Sequence, residues 1–317
     1  MLHNYQTEEF GHRLRDIRKG LNLTQQNVSD MSGINLDTLR KLENGYVVPR
    51  YDTLEILSIA YKVDLLEVFK NYRFTSDLFE IYNMLDKYIV DYQVDKLKKI
   101  KDKINDLDEK VYSMVVLASE VTKLKMLVEA IYIYNNNNEN PNPDELKTAK
   151  NILIDALRVF TPDYEIEDLE YYKYTYFDIR ILLILSVVVV KLKEVDLSNR
   201  ILKFILKITN KSDRASFLEK LMVIKIYSNI SYNYHRLDDP EESLKYSDAG
   251  IEFAQLNYMM YALPLLYMRK GVAELKLSKK EHSDSLRKSI YMLDIQGNTK
   301  LKELYENVLE KKYNIKF

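Results

Sequence analysis

An all-α chain is what this sequence predicts, and three observations carry the prediction. Seven glycines and six prolines are few breakers for 317 residues, and Lys, Leu, Ile and Glu abound. Helix starts recur in one form, a capping residue followed by proline at the first helical position, as in "NPDEL" and "DDPEESL". Apolar–polar alternation bounded by turns is not found. The share of apolar residues is 46% and of charged residues 30%, ordinary for a soluble helical protein with a sizeable core.

Composition also removes whole classes of chemistry. With no cysteine there is no disulfide, thiolate metal site or cysteine nucleophile, which fits a reducing cytoplasm. "MLHNYQTEEFGHRLR" has no apolar core of a secretory signal. The most apolar run, Ile181 to Val190, is too short to cross a bilayer, and Arg180 and Lys191 bracket it, so it reads as a buried helix. His3, His12, His235 and His282 have no metal-ligand spacing, and no phosphate loop, nucleophile elbow or dinucleotide fingerprint is present. No catalytic residue, metal or cofactor is expected.

The first helix carries Phe10, Leu14 and Ile17 at helical spacing and stops at Gly20. Thr24 caps a second helix with Val28 and Met31 turned inward. Gly33 makes the tight turn into a third helix, capped by Asn35, packed through Leu39 and Leu42, and closed by Gly45. Asp52 caps a fourth, with Glu55 completing a capping box and Leu54, Leu57 and Ile59 or Ala60 packing it. "LLEVF" makes a fifth. Two short helices joined by a glycine turn inside such a unit form a helix-turn-helix. The third helix leaves Leu36, Asp37, Arg40, Lys41 and Asn44 off its apolar stripe, the layout that major-groove reading requires.

Farther on, Leu78, Ile81, Leu85, Tyr88 and Ile89 recur at helical spacing, and Ser76 is placed to cap a connecting helix from Ser76 to Tyr92. Asn135 to Pro143 is a loop. Asn142-Pro143, Thr161-Pro162 and Asp239-Pro240 each announce a helix. Ile226–Ala254 aligns loosely with Leu266–Leu293: a first helix with a small residue, a polar turn, then a second helix of the form small-Leu-x-x-small. Leu185–Leu206 offers a third copy. Hairpins at this spacing stack into a superhelix with a concave groove. "YYKYTYF" reads as packing between hairpins.

"LTQQNVSDMSGINLDTLRKLENG", with the trailing "TLEILSIAYKVDLLEVF", resembles the phage-repressor (Xre) type of helix-turn-helix domain over residues 8 to 69. The resemblance implies that Gln25 meets a phosphate, that Leu36, Asp37 and Lys41 face bases, and that Asn35, Thr38 and Arg40 flank them. It puts Asn44 and Arg50 at phosphate positions and makes Arg18 and Glu43 a buried ion pair. Leu36 and Asp37 depart from the usual Gln, Arg or Ser. Asp37 reads either as a cytosine contact or as a charge favoured by the helix N-terminus. Residues 1–72 hold nine Lys and Arg against ten Asp and Glu, so one copy binds double-stranded DNA weakly and a homodimer on a palindromic operator is expected.

Residues 145 to 310 resemble degenerate tetratricopeptide repeats, and the two parts together are similar to the Rgg and PlcR type of peptide-sensing regulator. That likeness implies a cytoplasmic transcription regulator whose groove binds a short signalling peptide that changes dimer geometry and output. The division expected is 1–72 for DNA, 73–144 for a linker helix and first hairpins, and 145–317 for sensing. Asn229 and Asn233 lie on one helix face and either clamp an extended peptide backbone, or one or both face solvent or cap a turn. Ile230, Tyr232, Tyr267, Met268 and Val272 are candidate pocket walls. The rival reading is a repressor whose repeats bind a protein partner, an antirepressor or a toxin, through large apolar side chains.

Overall fold

The computed structural model describes residues 6–72, 76–91, 94–105, 115–136, 142–209 and 217–316. Among them every regular element is a helix. The described residues divide into two compact units, one of those up to Asn83 and one of those from Met84 onward.

In the first unit α1 (Thr7–Gly20), α2 (Gln25–Ser32), α3 (Leu36–Glu43), α4 (Tyr51–Tyr61) and α5 (Leu65–Lys70) enclose one core. Phe10, Leu14, Val28, Leu39, Leu42, Leu57 and Tyr61 fill it. Thr24 and Asn27 form a reciprocal capping box on α2, and the Asn35 carboxamide accepts from the Asp37 amide at 2.8 Å to cap α3. Two details differ from the expectation. Met31 is exposed, because an eight-residue helix buries only Val28. Asp52 does not cap α4: the helix begins one residue earlier at Tyr51, with Arg50 as cap residue, and the Asp52 carboxylate accepts from the Thr53 amide inside the first turn. Ala60, not the exposed Ile59, packs inward.

α6 (Ser76–Asp91) and α7 (Val94–Asn105) follow. Leu78, Ile81, Leu85 and Tyr88 are buried. The side chains of Ser76 and Ile89, the residue Tyr92, and 137–141 of the asparagine loop lie outside the described residues.

The second unit continues as antiparallel neighbours: α8 (Val115–Asn136) with α9 (Pro143–Arg158), α10 (Tyr176–Lys191) with α11 (Val195–Ile208), α12 (Phe217–Arg236) with α13 (Pro240–Leu256), and α14 (Leu263–Lys276) with α15 (His282–Ile295), then α16 (Thr299–Tyr313). The repeat pattern now has a physical meaning. Ser186, Ser231 and Gly271 recur on α10, α12 and α14, and Ser198, Ser243 and Ser285 on the second helices; all six are buried. Small side chains let the paired helices approach. Ser231 and Ser243 exchange hydroxyl-to-carbonyl hydrogen bonds of 2.8 and 2.9 Å, and a Cβ on Gly271 would sit 2.6 Å from Leu286 Cγ.

Asn142 and Asp239 cap α9 and α13 ahead of Pro143 and Pro240. Thr161-Pro162 starts no α-helix. The segment turns, passes through a single 3-10 turn at Ile166–Asp168, and buries Tyr164, Ile166 and Leu169. The Arg158 guanidinium donates to the Tyr164 carbonyl at 3.0 Å, and Tyr164 rests against Tyr172 and Tyr174. These side chains pack as expected, but Tyr171 is exposed. The apolar run is the centre of α10, where residues from Ile181 to Val189 are buried, Val187 apart. No helix among the described residues is long and apolar enough to cross a membrane.

Candidate nucleic-acid interface and ligand cavity

α3 is pinned from below and bare above. Leu39 and Leu42 anchor it in the core, and Glu43 at its end is fully buried. The Glu43 carboxylate receives Arg18 Nε at 2.6 Å, Arg18 Nη2 at 2.9 Å and Gln25 Nε2 at 2.8 Å. Arg18 also donates to the Leu23 carbonyl at 2.8 Å, so one guanidinium ties α1, the α1–α2 turn and α3 together. Its pKa rises because the hydrogen bond to Glu43 outweighs the cost of burial. Burial, then the Glu43 charge, push the Tyr61 hydroxyl up.

Arg15, which the sequence offers only as one of the domain's local cations, joins this network. Its Nη2 donates to the Glu43 carbonyl at 3.0 Å and to Asn44 Oδ1 at 2.6 Å, which orients the Asn44 carboxamide. The signal was available: Arg15 and Arg18 lie three apart on α1 and share a face.

Asp37, Thr38, Arg40, Lys41 and Asn44 are exposed and Leu36 is half-buried. Lys41 Nζ lies 2.7 Å from Asp37 Oδ2, an exposed i,i+4 pair. Arg50 is also exposed, 3.9 Å from Asp52. Asn35 spends its oxygen on the α3 cap. The Gln25 side chain turns inward to Glu43 rather than outward.

Within the second unit a cavity of about 130 Å³ opens between α10 and α12, with Asn229, Tyr232, Asn233 and Arg236 on one wall and Val187 and Lys191 on the other. Its two asparagines differ. Asn233 is buried and donates to Ser198 Oγ and Asn199 Oδ1, both at 2.9 Å. Asn229 keeps a buried Nδ2 with no acceptor. The Tyr232 ring has the Arg269 guanidinium 3.8 Å and the Arg236 guanidinium 4.5 Å from its centre. Four proposed walls are core residues instead. Ile230 is fully buried, Tyr267 packs with Leu221 and Ile224, and Met268 and Val272 pack with Leu286 and Leu293. They sit on faces turned toward neighbouring helices, where apolar side chains are driven. His235 is held down to about 4 by burial, then by Lys276, Arg269 and Lys312. No group of three His, Asp or Glu able to hold a metal occurs among the described residues.

Residues 14–68 match the helix-turn-helix family HTH_3. The N-terminal unit is an Xre-type helix-turn-helix domain. No curated protein sequence matches the chain. Its fold is that of several solved structures. Bacillus thuringiensis PlcR, crystallised with the peptide PapR7 and DNA, is similar over 95% of this chain and 99% of its own, at 18% identity and a TM-score of 0.69. The Streptococcus dysgalactiae SHP pheromone receptor Rgg2 covers 96% and 99% at 16% identity, with a TM-score of 0.58. Streptococcus thermophilus ComR, in complex with DNA and its signalling peptide ComS, covers 94% and 97% at 15% identity, with a TM-score of 0.51. All three therefore match this fold over nearly the whole length of both chains.

Proposed function

We propose that this chain is a cytoplasmic, dimeric, DNA-binding transcription regulator whose hairpin repeats bind a short signalling peptide. The observation that carries the proposal is the exposed row Asp37, Thr38, Arg40, Lys41 and Asn44 on a helix locked from beneath by Leu39, Leu42 and Glu43. A rigid helix with polar side chains outward is what a major groove accepts. The Xre-type domain carries too little positive charge to hold DNA as one copy, so two copies read two half-sites of a palindromic operator. Similarity to PlcR and ComR, each solved with DNA and a peptide, supports residues 1–72 as the reader and 145–317 as the sensor. The cavity carries two amides, Asn229 and Asn233, and two cations, Lys191 and Arg236, beside Tyr134, Tyr232, Val187 and Val190, and those amides and cations support a peptide over a folded protein partner. A peptide alters output by favouring one dimer geometry over another.

The test is a gel-shift titration against the DNA upstream of the chain's own coding sequence, with mass spectrometry of small peptides that co-purify from the native host. A salt-dependent shift that a co-purified peptide alters is the expected result. No binding to any duplex at any salt would leave a sequestering scaffold as the better description.

A further inference from the structure

Asn229 and Arg269 lie 40 residues apart, the offset that also relates Tyr227 to Tyr267 and Ser231 to Gly271. They therefore occupy equivalent positions on the first helices of successive hairpins. Each holds a buried N–H without an acceptor, Nδ2 in Asn229 and Nε in Arg269. Buried donors left unmade are costly and rare. Arg269 lies over the Tyr232 ring, and Tyr232 lines the α10–α12 cavity together with Asn229.

No Asp or Glu lines that cavity, while Lys191 and Arg236 do. Among the described residues Lys191, Arg236 and Arg269 take part in no ion pair. Lys276, which closes α14 as Lys191 closes α10 and Arg236 closes α12, is held by Asp238 at 2.6 Å. Helix C-termini favour cations at Lys191 and Arg236, but Arg269 is in mid-helix and no such account covers it. The excess positive charge reaches its neighbours. Burial pushes the Tyr232 hydroxyl up, yet Arg269 and Arg236 outweigh it and hold the pKa below its ordinary value.

We propose that this cavity is a carboxylate receptor, and that the signalling peptide proposed above inserts a carboxylate between Lys191 and Arg236, with Asn229 Nδ2 donating to it. The inference rests on the peptide reading. A volume of about 130 Å³ is room for one end-group, about four waters' worth, not for a whole peptide. The carboxylate belongs either to the peptide's C-terminus or to an Asp or Glu side chain.

Immobilised full-length protein is offered four pools of randomised heptapeptides, with or without Asp and Glu and with a free or amidated C-terminus. Retained peptides are counted by tandem mass spectrometry. Recovery from the amidated pool lacking acids is expected to fall at least about tenfold, the scale of losing a charge-assisted hydrogen bond. Loss on amidation alone assigns the C-terminus; loss on removing acids alone assigns a side chain. A Lys191→Gln/Arg236→Gln variant, with its helical circular dichroism unchanged, is expected to retain all pools alike. Equal retention of the four pools by the unsubstituted protein overturns the carboxylate receptor and leaves peptide binding standing. Retention of none overturns both.

Discussion

Arg18 and Glu43 meet through two parallel hydrogen bonds, Nε to Oε1 at 2.6 Å and Nη2 to Oε2 at 2.9 Å, and the carboxylate has no exposure to solvent. Removing one partner of such a pair strands the other charge. Glu43→Ala is expected to destabilise the Xre-type domain by ~3–5 kcal/mol, read from the urea concentration at which α3 amides lose hydrogen-exchange protection. Arg18→Met with Glu43→Leu should recover most of that loss, because neither charge then needs a partner. A double variant as unstable as Glu43→Ala would show that shape rather than charge joins α1 to α3.

Gly33 and Gly45 both sit at φ +70, but their surroundings differ. A Cβ on Gly33 meets nothing within 4 Å, whereas one on Gly45 would lie 2.6 Å from Glu8 Cα. Gly33→Ala is expected to cost only the left-handed backbone penalty, ~1–2 kcal/mol. Gly45→Ala must also push α1 away and should cost more. Thermal unfolding of the two variants, measured side by side, checks the order, and equal losses would mean that α1 yields freely at Glu8.

The N-terminal unit was legible because its signals are local. Thr24, Gly33, Asn35 and Gly45 each act within a few residues, and the capping chemistry needs no distant partner. The cavity was less legible because burial there is set by helices far apart in sequence. Nothing near Tyr267 or Val272 says that α15 and α13 cover them, and nothing near Asn233 says that Ser198 and Asn199 wait 35 and 34 residues away. Thr161-Pro162 misled for the same reason. A cap and a proline favour a helix locally, but the Tyr164 ring and the Arg158 guanidinium fix that segment as a turn.

The two cavity asparagines separate binding from folding. Asn233→Ala removes two inter-helix hydrogen bonds and leaves the Ser198 hydroxyl and Asn199 carbonyl to find other partners, so a loss of ~1–3 kcal/mol in stability is expected. Asn229→Ala deletes an unpaired donor and should leave unfolding unchanged while weakening retention of peptides. Calorimetry with a co-purified peptide alongside urea unfolding distinguishes them. Undiminished affinity in Asn229→Ala would remove it from the peptide contacts.

Lys41 and Asp37 lie 2.7 Å apart on the open face of α3, so one substitution changes what the other presents. Lys41→Ala is expected to cost ~1–3 kcal/mol on the operator and much less on unrelated duplex. Asp37→Ala frees the Lys41 ammonium and lowers repulsion toward phosphates, which should tighten non-specific binding and narrow the ratio of the two. Fluorescence anisotropy at several salt concentrations reads both. Equal losses on operator and unrelated DNA for Lys41→Ala would place that residue on the backbone instead of a base.

His235 gives the second unit a built-in sensitivity to acid. Burial first, and then Lys276, Arg269 and Lys312, hold its folded-state pKa down to about 4, against 6.5 for a free imidazole. Above 6.5 neither state carries the proton and the residue adds no slope. Between 6.5 and about 4 the unfolded chain binds a proton that the folded chain refuses, so stability falls as the pH falls through that window. Below about 4 both states are protonated and the loss is complete. His235→Gln removes the titrating group, and its urea midpoint should decline less than that of the unsubstituted protein between about pH 7 and about pH 5. Carboxylates elsewhere act equally on both proteins, so the difference between the two curves isolates the imidazole. Parallel curves across that range would mean that the ring takes up its proton in the folded state as readily as in the unfolded one, and that the cations around it are better screened than their positions imply.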